Sequence, residues 1–239
     1  MEAASYYNSK KNQFRTLSAA DWRNTHNFIK SVLIDQTVPH GGTFMDMGCG
    51  QGGDIKKVQH YNLRKYIGFD VSKVAIEHAK NRANTLQSRT HSNQHMEFHC
   101  FDFRQTPWPI EECVDTISCQ FAFQYAFESK EIALGCLKEV SVHLKKGGYF
   151  VGSIPIHNKK IYTPVQFTLP NDNRKCIEYS VEFEELCEIA NTVGLKCVSW
   201  ESFQDFYEYA KHTHSDLHSY MKVECPPHKN YVIFQFQKK

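Results

Sequence analysis

Residues 43–54 read TFMDMGCGQGGD, and this stretch decides the fold. Its first five residues are apolar apart from Asp46, which predicts a short buried strand. Glycines follow at positions 48, 50, 52 and 53, and they let the backbone turn sharply and approach a ligand closely. Ile55 and Val58 then point inward from a helix whose amino end favours negative charge. The stretch predicts a strand, a ligand-binding turn and a helix in succession.

The same alternation of strand and helix continues along the chain. Apolar runs predict further strands at 66–70, 96–101, 114–120, 149–154, 177–181, 195–200 and 231–236. Helices are predicted from Ser18 to about residue 35, after a cap at Ser72, over 130–144 with a stop at the following glycines, and over 182–192. This alternation is typical of a doubly wound α/β fold, so we expect a mostly parallel sheet of seven strands.

Length and composition predict one globular domain. The chain has 239 residues, 41% of them hydrophobic and 23% charged, with a net charge of +2. We expect a flexible arm over residues 1–17 and a single domain over 18–239. Residues 155–175 contain three prolines among polar residues, which predicts a lid-like insertion over the carboxyl edge of the sheet. The weak net charge neither favours nor excludes a nucleic-acid partner.

Several further features bear on location and metals. The first residues lack the apolar segment of a signal peptide, and no stretch is long enough to span a bilayer. The nine cysteines are scattered without a Cys-x-x-Cys pair, as expected of reduced thiols. We therefore expect a monomer in the nucleus or cytoplasm, without a membrane partner. Residues 212–228 are rich in histidine, but their spacing matches no zinc pattern, so no metal is predicted.

Acidic residues end three successive predicted strands: Asp46, Asp70 and Asp102. Ligands of doubly wound sheets bind at these strand ends. Asp46 is placed to organise the loop, Asp70 to accept hydrogen bonds from two ribose hydroxyls, and Asp102 to accept from an adenine amino group. One acid alone would indicate a turn cap, whereas three beside a glycine turn favour a nucleoside cofactor. The Gly-x-Gly-x-Gly spacing differs from the Gly-x-Gly-x-x-Gly of dinucleotide enzymes, which favours S-adenosylmethionine over a nicotinamide cofactor.

Several segments resemble the eukaryotic and viral mRNA cap guanine-N7 methyltransferases. They are NTHNFIK at 24–30, the loop at 46–54, GFD at 68–70, SCQFAFQYAF at 118–127, residues 144–150, KCIEY at 175–179 and DFYE at 205–208. The resemblance extends from about residue 22 to the C-terminus, and the stretches around 27–30 and 120–127 are its most specific parts. It implies a Rossmann-like class I methyltransferase fold, S-adenosylmethionine as cofactor and capped RNA as substrate.

The resemblance also implies roles for individual residues. The implied cofactor-binding residues are Lys30, Asp46, Gly48, Gly50, Asp54, Asp70, Asp102, Gln120 and Tyr125. The implied cap-binding residues are His26, Asn27, Gln51, Lys57, Arg82, Gln124, Glu178 and Tyr231. Within these sets, Lys30 would bind the cofactor's carboxylate. Glu178 suits the guanine N1–H and 2-amino edge, while Lys57 and Arg82 suit phosphates.

The chain departs from the family pattern at three places that contact the cap. His26, Gln51 and Gln124 stand where the family usually has Asn, Lys and His. Gln51 removes a positive charge near the phosphates, so a weaker attraction for an anionic cap is expected. The departures leave the implied cofactor-binding residues unchanged. They affect only the expected recognition of the methyl acceptor.

Three hypotheses follow for function. The favoured one is cap guanine-N7 methylation; because N7 carries an exposed lone pair, alignment suffices and no catalytic acid or base is nominated. The second is methylation of another RNA end, a nucleotide or a small molecule, and the third is a non-catalytic relative within a complex. A nicotinamide oxidoreductase explains none of the segments after Asp102. Other capping enzymes are expected partners, since cap methyltransferases often act beside a triphosphatase and a guanylyltransferase.

Overall fold

The computed structural model describes residues 17–90, 94–168, 175–223, 227 and 229–239. The strands are β1 (Thr43–Met47), β2 (Lys65–Asp70), β3 (His95–Cys100), β4 (Val114–Gln120), β5 (Leu144–Pro155), β6 (Pro164–Thr168), β7 (Lys175–Tyr179), β8 (Leu195–Ser202) and β9 (Tyr231–Lys238). The helices are α1 (Leu17–Asp35), α2 (Ile55–Val58), α3 (Lys73–Thr90), α4 (Lys130–His143), α5 (Phe183–Thr192), α6 (Phe203–Thr213) and α7 (Ser215–Tyr220), with 3-10 turns at Gln59–Tyr61 and Phe123–Glu128.

Seven strands form the main sheet, in the order β3-β2-β1-β4-β5-β9-β8. Strands β1 to β5 run parallel, and β9 is antiparallel to both of its neighbours. The chain moves from β1 through β2 to β3 and then returns to the other side of β1 at β4. The strand order therefore reverses at β1, and sheets of this kind bind ligands in the crevice outside the carboxyl ends of the strands at that point.

Apolar side chains cover both faces of the sheet. Consecutive residues of a strand point to opposite faces, so Ile233 and Phe234 of β9 enter different core clusters. One cluster joins β4 and β5 to helix α4, which buries Ala133, Cys136, Leu137 and Val140 at helical spacing. The other joins α1 and α6. The sheet is thus covered by helices on both sides, as a doubly wound fold requires.

The predicted fold class is confirmed, and most predicted strands lie within a few residues of the observed ones. The helix predicted over 130–144 is observed with its end within one residue, but the glycines that were expected to stop it do not do so. Helix α4 ends at His143, Leu144 already has extended backbone, and Gly147 lies inside β5 with a φ of +78°. The pairing of β4 with β5 shifts register there, so these residues form an irregular strand start rather than a turn.

Three further regions differ from or extend beyond the sequence prediction. Helices α6 and α7 were not predicted. The segment expected to be a lid contains β6, which pairs with β7 in a separate two-stranded sheet. The expected arm falls almost wholly on residues 1–16, which lie outside the described residues. Within the described ranges, no helix has both the length and the apolar composition that crossing a membrane requires.

Candidate functional site

Backbone hydrogen bonds fasten the glycine turn to the end of β2. The amides of Gly48 and Cys49 both donate to the carbonyl of Phe69, at 2.8 and 3.0 Å. The amide of Gly50 donates to Oδ2 of Asp70 at 2.9 Å. These bonds hold the turn beside the carboxyl end of the neighbouring strand. The glycine loop and the second strand-end acid are therefore joined by hydrogen bonds.

The glycines of this turn differ in what surrounds them. Gly48, Gly50 and Gly52 all have positive φ, which favours glycine. A Cβ on Gly48 would lie 2.8 Å from the Cβ of Ala122, and one on Gly52 would lie 2.5 Å from Cδ1 of Ile55. A Cβ on Gly50 would meet no atom within 4 Å. Gly48 and Gly52 serve close packing, whereas Gly50 borders open space beside Asp70.

The second and third strand-end acids have different surroundings. Asp70 accepts one backbone hydrogen bond on each oxygen, from Ser72 at 2.8 Å and from Gly50, and burial raises its pKa. Asp102 instead faces the guanidinium of Arg104, at 2.6 Å from Nη2. Burial opposes ionisation of Asp102, but Arg104 prevails and lowers its pKa. Each Asp70 oxygen keeps a free lone pair, while Asp102 is largely occupied by its arginine.

Four ionisable side chains meet beneath the turn. Asp54 ends the glycine loop and lies 2.8 Å from Nζ of Lys30 and 2.7 Å from Nζ of Lys57. Lys57 also donates to Oδ1 of Asn27 at 3.0 Å. A predicted cofactor residue, Asp54, is thereby joined to two predicted cap residues. The fourth ionisable group is Asp46, which accepts from the hydroxyl of Tyr66 at 2.7 Å.

Burial and charge set the ionisation of this cluster. Burial and the adjacent Asp54 raise the pKa of Asp46 to about 7. Burial also disfavours the charged form of Asp54, but Lys30 and Lys57 outweigh it and hold the pKa of Asp54 well below its usual range. Burial lowers the pKa of Lys57. The cluster carries its negative charge on Asp54, between two cations.

The end of β4 contributes the predicted residues Gln120 and Tyr125. The amide of Gln120 lies inside the sheet, donating to Oγ of Ser118 at 3.0 Å and accepting from Oγ of Ser153 at 2.8 Å. Phe121 follows with a φ of +59°, a left-handed conformation that is uncommon for an aromatic residue and often marks a functional turn. Tyr125 lies half-buried in the 3-10 turn beyond it.

Gln124 and Glu178 meet in a buried polar group. Gln124 is 3% exposed, and its Nε2 donates to the carbonyl of Phe121 at 3.1 Å and to Oε2 of Glu178 at 3.3 Å. Nε2 of His157 lies 2.8 Å from Oε1 of Glu178. Oε1 of Gln124 is buried and has no hydrogen-bond partner among the described residues. Burial raises the pKa of Glu178, although His157 and Gln124 offset part of that rise.

Aromatic rings surround His26, another predicted cap residue. Its ring stacks on Phe121 with centroids 5.3 Å apart and meets the edges of Phe203 and Tyr231 at 5.4 and 5.5 Å. Burial and the neighbouring Glu178 raise the pKa of Tyr231. The aromatic group therefore connects α1 to the Glu178 region. Of the remaining predicted residues, Arg82 donates to the carbonyl of Gly52 at 3.2 Å, and Gln51 is half-buried in the turn.

Three residues of the site were missed from the sequence. Arg104 could have been considered as a partner, because it follows Asp102 by only two residues. Phe121 and His157 carry no local signal, since a left-handed aromatic and a contact across 21 residues depend on the tertiary structure. In the histidine-rich stretch, His218 pairs with Tyr207 and His214 with Asp35, whereas Cys225 and His228 lie outside the described residues. No candidate metal-ligand group occurs within the described ranges.

The fold is that of Rossmann-like class I methyltransferases. A solved S-adenosylmethionine-dependent methyltransferase from Clostridium acetobutylicum superposes with a TM-score of 0.61 at 13% sequence identity, covering 99% of this chain and 98% of that one. The family model for the mRNA (guanine-N(7))-methyltransferase domain matches residues 2–167, well over half of the chain. The chain belongs to that family.

Curated relatives agree with this assignment. The mRNA cap guanine-N(7) methyltransferase of Saccharomyces cerevisiae is 28% identical over 230 residues, covering 77% of this chain and 53% of the relative. The protein of the same name from Schizosaccharomyces pombe is 34% identical over 166 residues, covering 63% of this chain and 44% of the relative. The chain spans about half the length of these relatives.

Proposed function

We propose that this chain transfers a methyl group from S-adenosylmethionine to N7 of the terminal guanine of capped RNA. The observation that carries the proposal is a buried acceptor group beside the glycine turn. Gly48 of the turn packs against Ala122, two residues before Gln124, and Gln124 bonds to Glu178. A site for a nucleoside cofactor and a site for a base with hydrogen-bond donors are therefore adjacent at one edge of the sheet.

The residues of the turn fit the cofactor. The open space at Gly50 admits a ligand against the backbone, and the free lone pairs of Asp70 suit two ribose hydroxyls. Lys30 lies at the same edge with a side chain 13% exposed, so it offers a cation to a ligand carboxylate while paired with Asp54. Asp102 would accept an adenine amino group through the lone pairs that Arg104 leaves.

When bound, the cofactor would supply a methyl group on a sulfonium: the N7 lone pair of guanine forms a C–N bond as the C–S bond in line with it breaks, and neutral S-adenosylhomocysteine leaves without loss of a proton. The residues of this chain therefore need only hold and orient their ligands and exclude water. Glu178 would accept from the guanine edge, and Lys57 and Arg82 lie near the turn where phosphates of a cap would be attracted. No side chain is assigned a proton-transfer role.

The assay that tests the proposal uses labelled S-adenosylmethionine and an RNA ending in an unmethylated guanosine cap. We expect label in 7-methylguanosine after nuclease digestion. Label in another nucleotide, or preferential methylation of free GTP, would show that the acceptor is different. A protein that binds the cofactor in calorimetry but labels none of these acceptors would be a non-catalytic relative.

Capped RNA as substrate implies further partners and a place of action. Other capping enzymes are proposed partners, because N7 methylation requires a guanosine cap that a guanylyltransferase has already added. The protein would then act as a monomer where capped transcripts occur, in the nucleus or the cytoplasm. The segment between β5 and β7 would serve as a lid over the site. Co-purification with a guanylyltransferase and sedimentation of the purified chain would test these points.

A further inference from the structure

Hydrogen bonds join His157, which is partly exposed, to the buried Glu178 and Gln124. They come from three separate parts of the chain: the residues just after β5, strand β7 and the 3-10 turn after β4. Nε2 of His157 lies 2.8 Å from one oxygen of Glu178, and Nε2 of Gln124 lies 3.3 Å from the other. Glu178 is 6% exposed and Gln124 is 3% exposed. Side chains held this way have fixed donor and acceptor directions.

The orientation of the Gln124 amide follows from its two partners. Its Nε2 points at the carbonyl of Phe121 and at a carboxylate oxygen of Glu178, and both of these groups only accept. A flipped amide would place Oε1 against two acceptors and would lose both bonds. Oε1 therefore faces away from them, and it has no hydrogen-bond partner among the described residues. A buried acceptor without a partner is costly unless a ligand supplies a donor.

The orientation of Glu178 follows from His157. An ionised carboxylate only accepts, so Nε2 of His157 carries the proton in this bond. One lone pair on each oxygen of Glu178 is taken, by His157 and by Gln124, and the others remain available. The unit therefore offers only acceptors to a ligand: the remaining lone pairs of Glu178 and the Oε1 of Gln124.

We propose that His157 is a positioning residue which, through Glu178 and Gln124, fixes an acceptor-only surface that selects a base by its adjacent N1–H and 2-amino donors. This inference rests on the proposed function, whose acceptor it specifies. Guanine presents those two donors side by side, whereas adenine has an acceptor at N1. Inosine keeps N1–H and N7 but lacks the 2-amino group, so it isolates one of the two donors.

The experiment compares guanosine(5′)triphospho(5′)adenosine with its inosine counterpart. Binding constants are measured by calorimetry, and kcat and KM by methyl transfer, in the presence of the cofactor. We expect wild type to prefer the guanosine dinucleotide by about tenfold or more, since a hydrogen bond to a charged acceptor is lost with inosine. In His157→Ala, the preference should fall to within about threefold, with the change in KM and not in kcat.

Three variants separate positioning from a merely structural role. His157→Gln keeps a neutral donor near the place of Nε2 and should restore most of the preference. Gln124→Leu removes the unpartnered acceptor and should also reduce the preference. His214→Ala is the matched control, because His214 also pairs with a carboxylate, Asp35 at 3.3 Å, and its side chain is 24% exposed against 20% for His157. The control should keep the wild-type preference.

The outcomes distinguish this inference from the proposed function. If wild type binds both dinucleotides equally, or if His157→Ala keeps the full preference, the inference is overturned. An equal loss of cofactor affinity in His157→Ala would also overturn it, because that result indicates general damage to the site. If wild type prefers the guanosine dinucleotide and the variants behave as expected but no methyl group is transferred, the proposed reaction fails and the inference stands on the binding constants.

Discussion

The two halves of the proposed site are built in different ways. In the cofactor half, around the glycine turn, Asp70 is held by backbone amides of Gly50 and Ser72, so its geometry follows from the path of the chain. In the base half, Glu178 is held by side chains that are 21 and 54 residues away in the sequence. A half held by backbone keeps its shape when side chains change, whereas a half held by side chains can change its specificity by single substitutions.

The largest expected effect is that one variant loses cofactor binding while a second variant loses cap binding. Asp70→Asn should weaken cofactor binding about 100-fold, because the charged acceptor for two hydroxyls is lost, and should leave guanosine cap binding nearly unchanged. Glu178→Ala should instead weaken guanosine cap binding and leave cofactor binding nearly unchanged. Calorimetry with each ligand separately measures both, and thermal unfolding checks that the variants fold. Loss of both ligands in either variant would mean that the halves are not independent.

Alanine substitutions at two matched glycines test the cofactor half alone. Gly50 and Gly147 both have positive φ, and a Cβ on either would meet no atom within 4 Å. Alanine at each position should therefore cost a similar stability, about 1 kcal/mol, from backbone strain. Only Gly50→Ala should also weaken cofactor binding, about tenfold or more, because its methyl group would occupy space beside Asp70. Equal cofactor affinity in the two variants would show that the open space at Gly50 is not the cofactor site.

The buried charges beneath the turn predict a dependence of stability on pH. Burial and Asp54 raise the pKa of Asp46 from 3.8 to about 7, so the folded state holds this proton more tightly than the unfolded state. That stabilisation is complete below pH 3.8 and is lost as the pH rises to about 7. Asp46→Asn keeps an acceptor for Tyr66 and removes the titration. Its stability relative to wild type should rise across this window, by at most ~1.4 kcal/mol per pH unit, and then level off.

Urea unfolding at pH 5, 6, 7 and 8 measures this difference. Burial opposes ionisation of Asp115, which lies outside this cluster, but Lys145 at 2.7 Å outweighs it and lowers the pKa of Asp115. Asp115→Asn is therefore the control, because that carboxylate stays charged throughout the range. Its effect on the unfolding free energy should be constant between pH 5 and 8. A constant effect for Asp46→Asn as well would contradict the raised pKa of Asp46.

The smallest expected effect concerns Gln51, which lies in the cofactor half but is predicted to face the cap. Gln51→Lys should tighten binding of the triphosphate dinucleotide about threefold at low salt, and the gain should shrink as salt is added. Gln204→Lys on α6 adds the same charge outside the site and should change little. If the two variants bind alike, Gln51 lies away from the phosphates.

The comparison also explains what the sequence could predict. The glycine turn, Asp46 and Asp70 were predictable because each lies within a few residues of a recognisable strand end, and the sheet brings parallel strand ends together. Asp102 was placed correctly at its strand end, but its pairing with Arg104 was not foreseen. The fold class followed from the alternation of strands and helices, which depends on local periodicity alone.

The base half was less accessible to such reasoning. Gln124 and Glu178 came from the family resemblance, and their hydrogen bond appears only once β7 packs beside the 3-10 turn. His157 has no local pattern. By contrast, α6 was overlooked although Phe203, Phe206, Tyr207 and Ala210 are buried at helical spacing and Oγ of Ser202 caps the helix. Helix α6 could therefore have been predicted from the sequence, whereas the contact of His157 could not.

The placement of β9 has a consequence for how the protein is made. β9 follows β8 along the chain but lies between β5 and β8 in the sheet. During synthesis β8 therefore emerges before the strand it pairs with, and the edge of β5 stays open until β9 arrives. Tyr231 is the first residue of β9 and pairs with Pro155 at the end of β5. A nascent chain would thus gain its closed sheet and this side chain of the base half together.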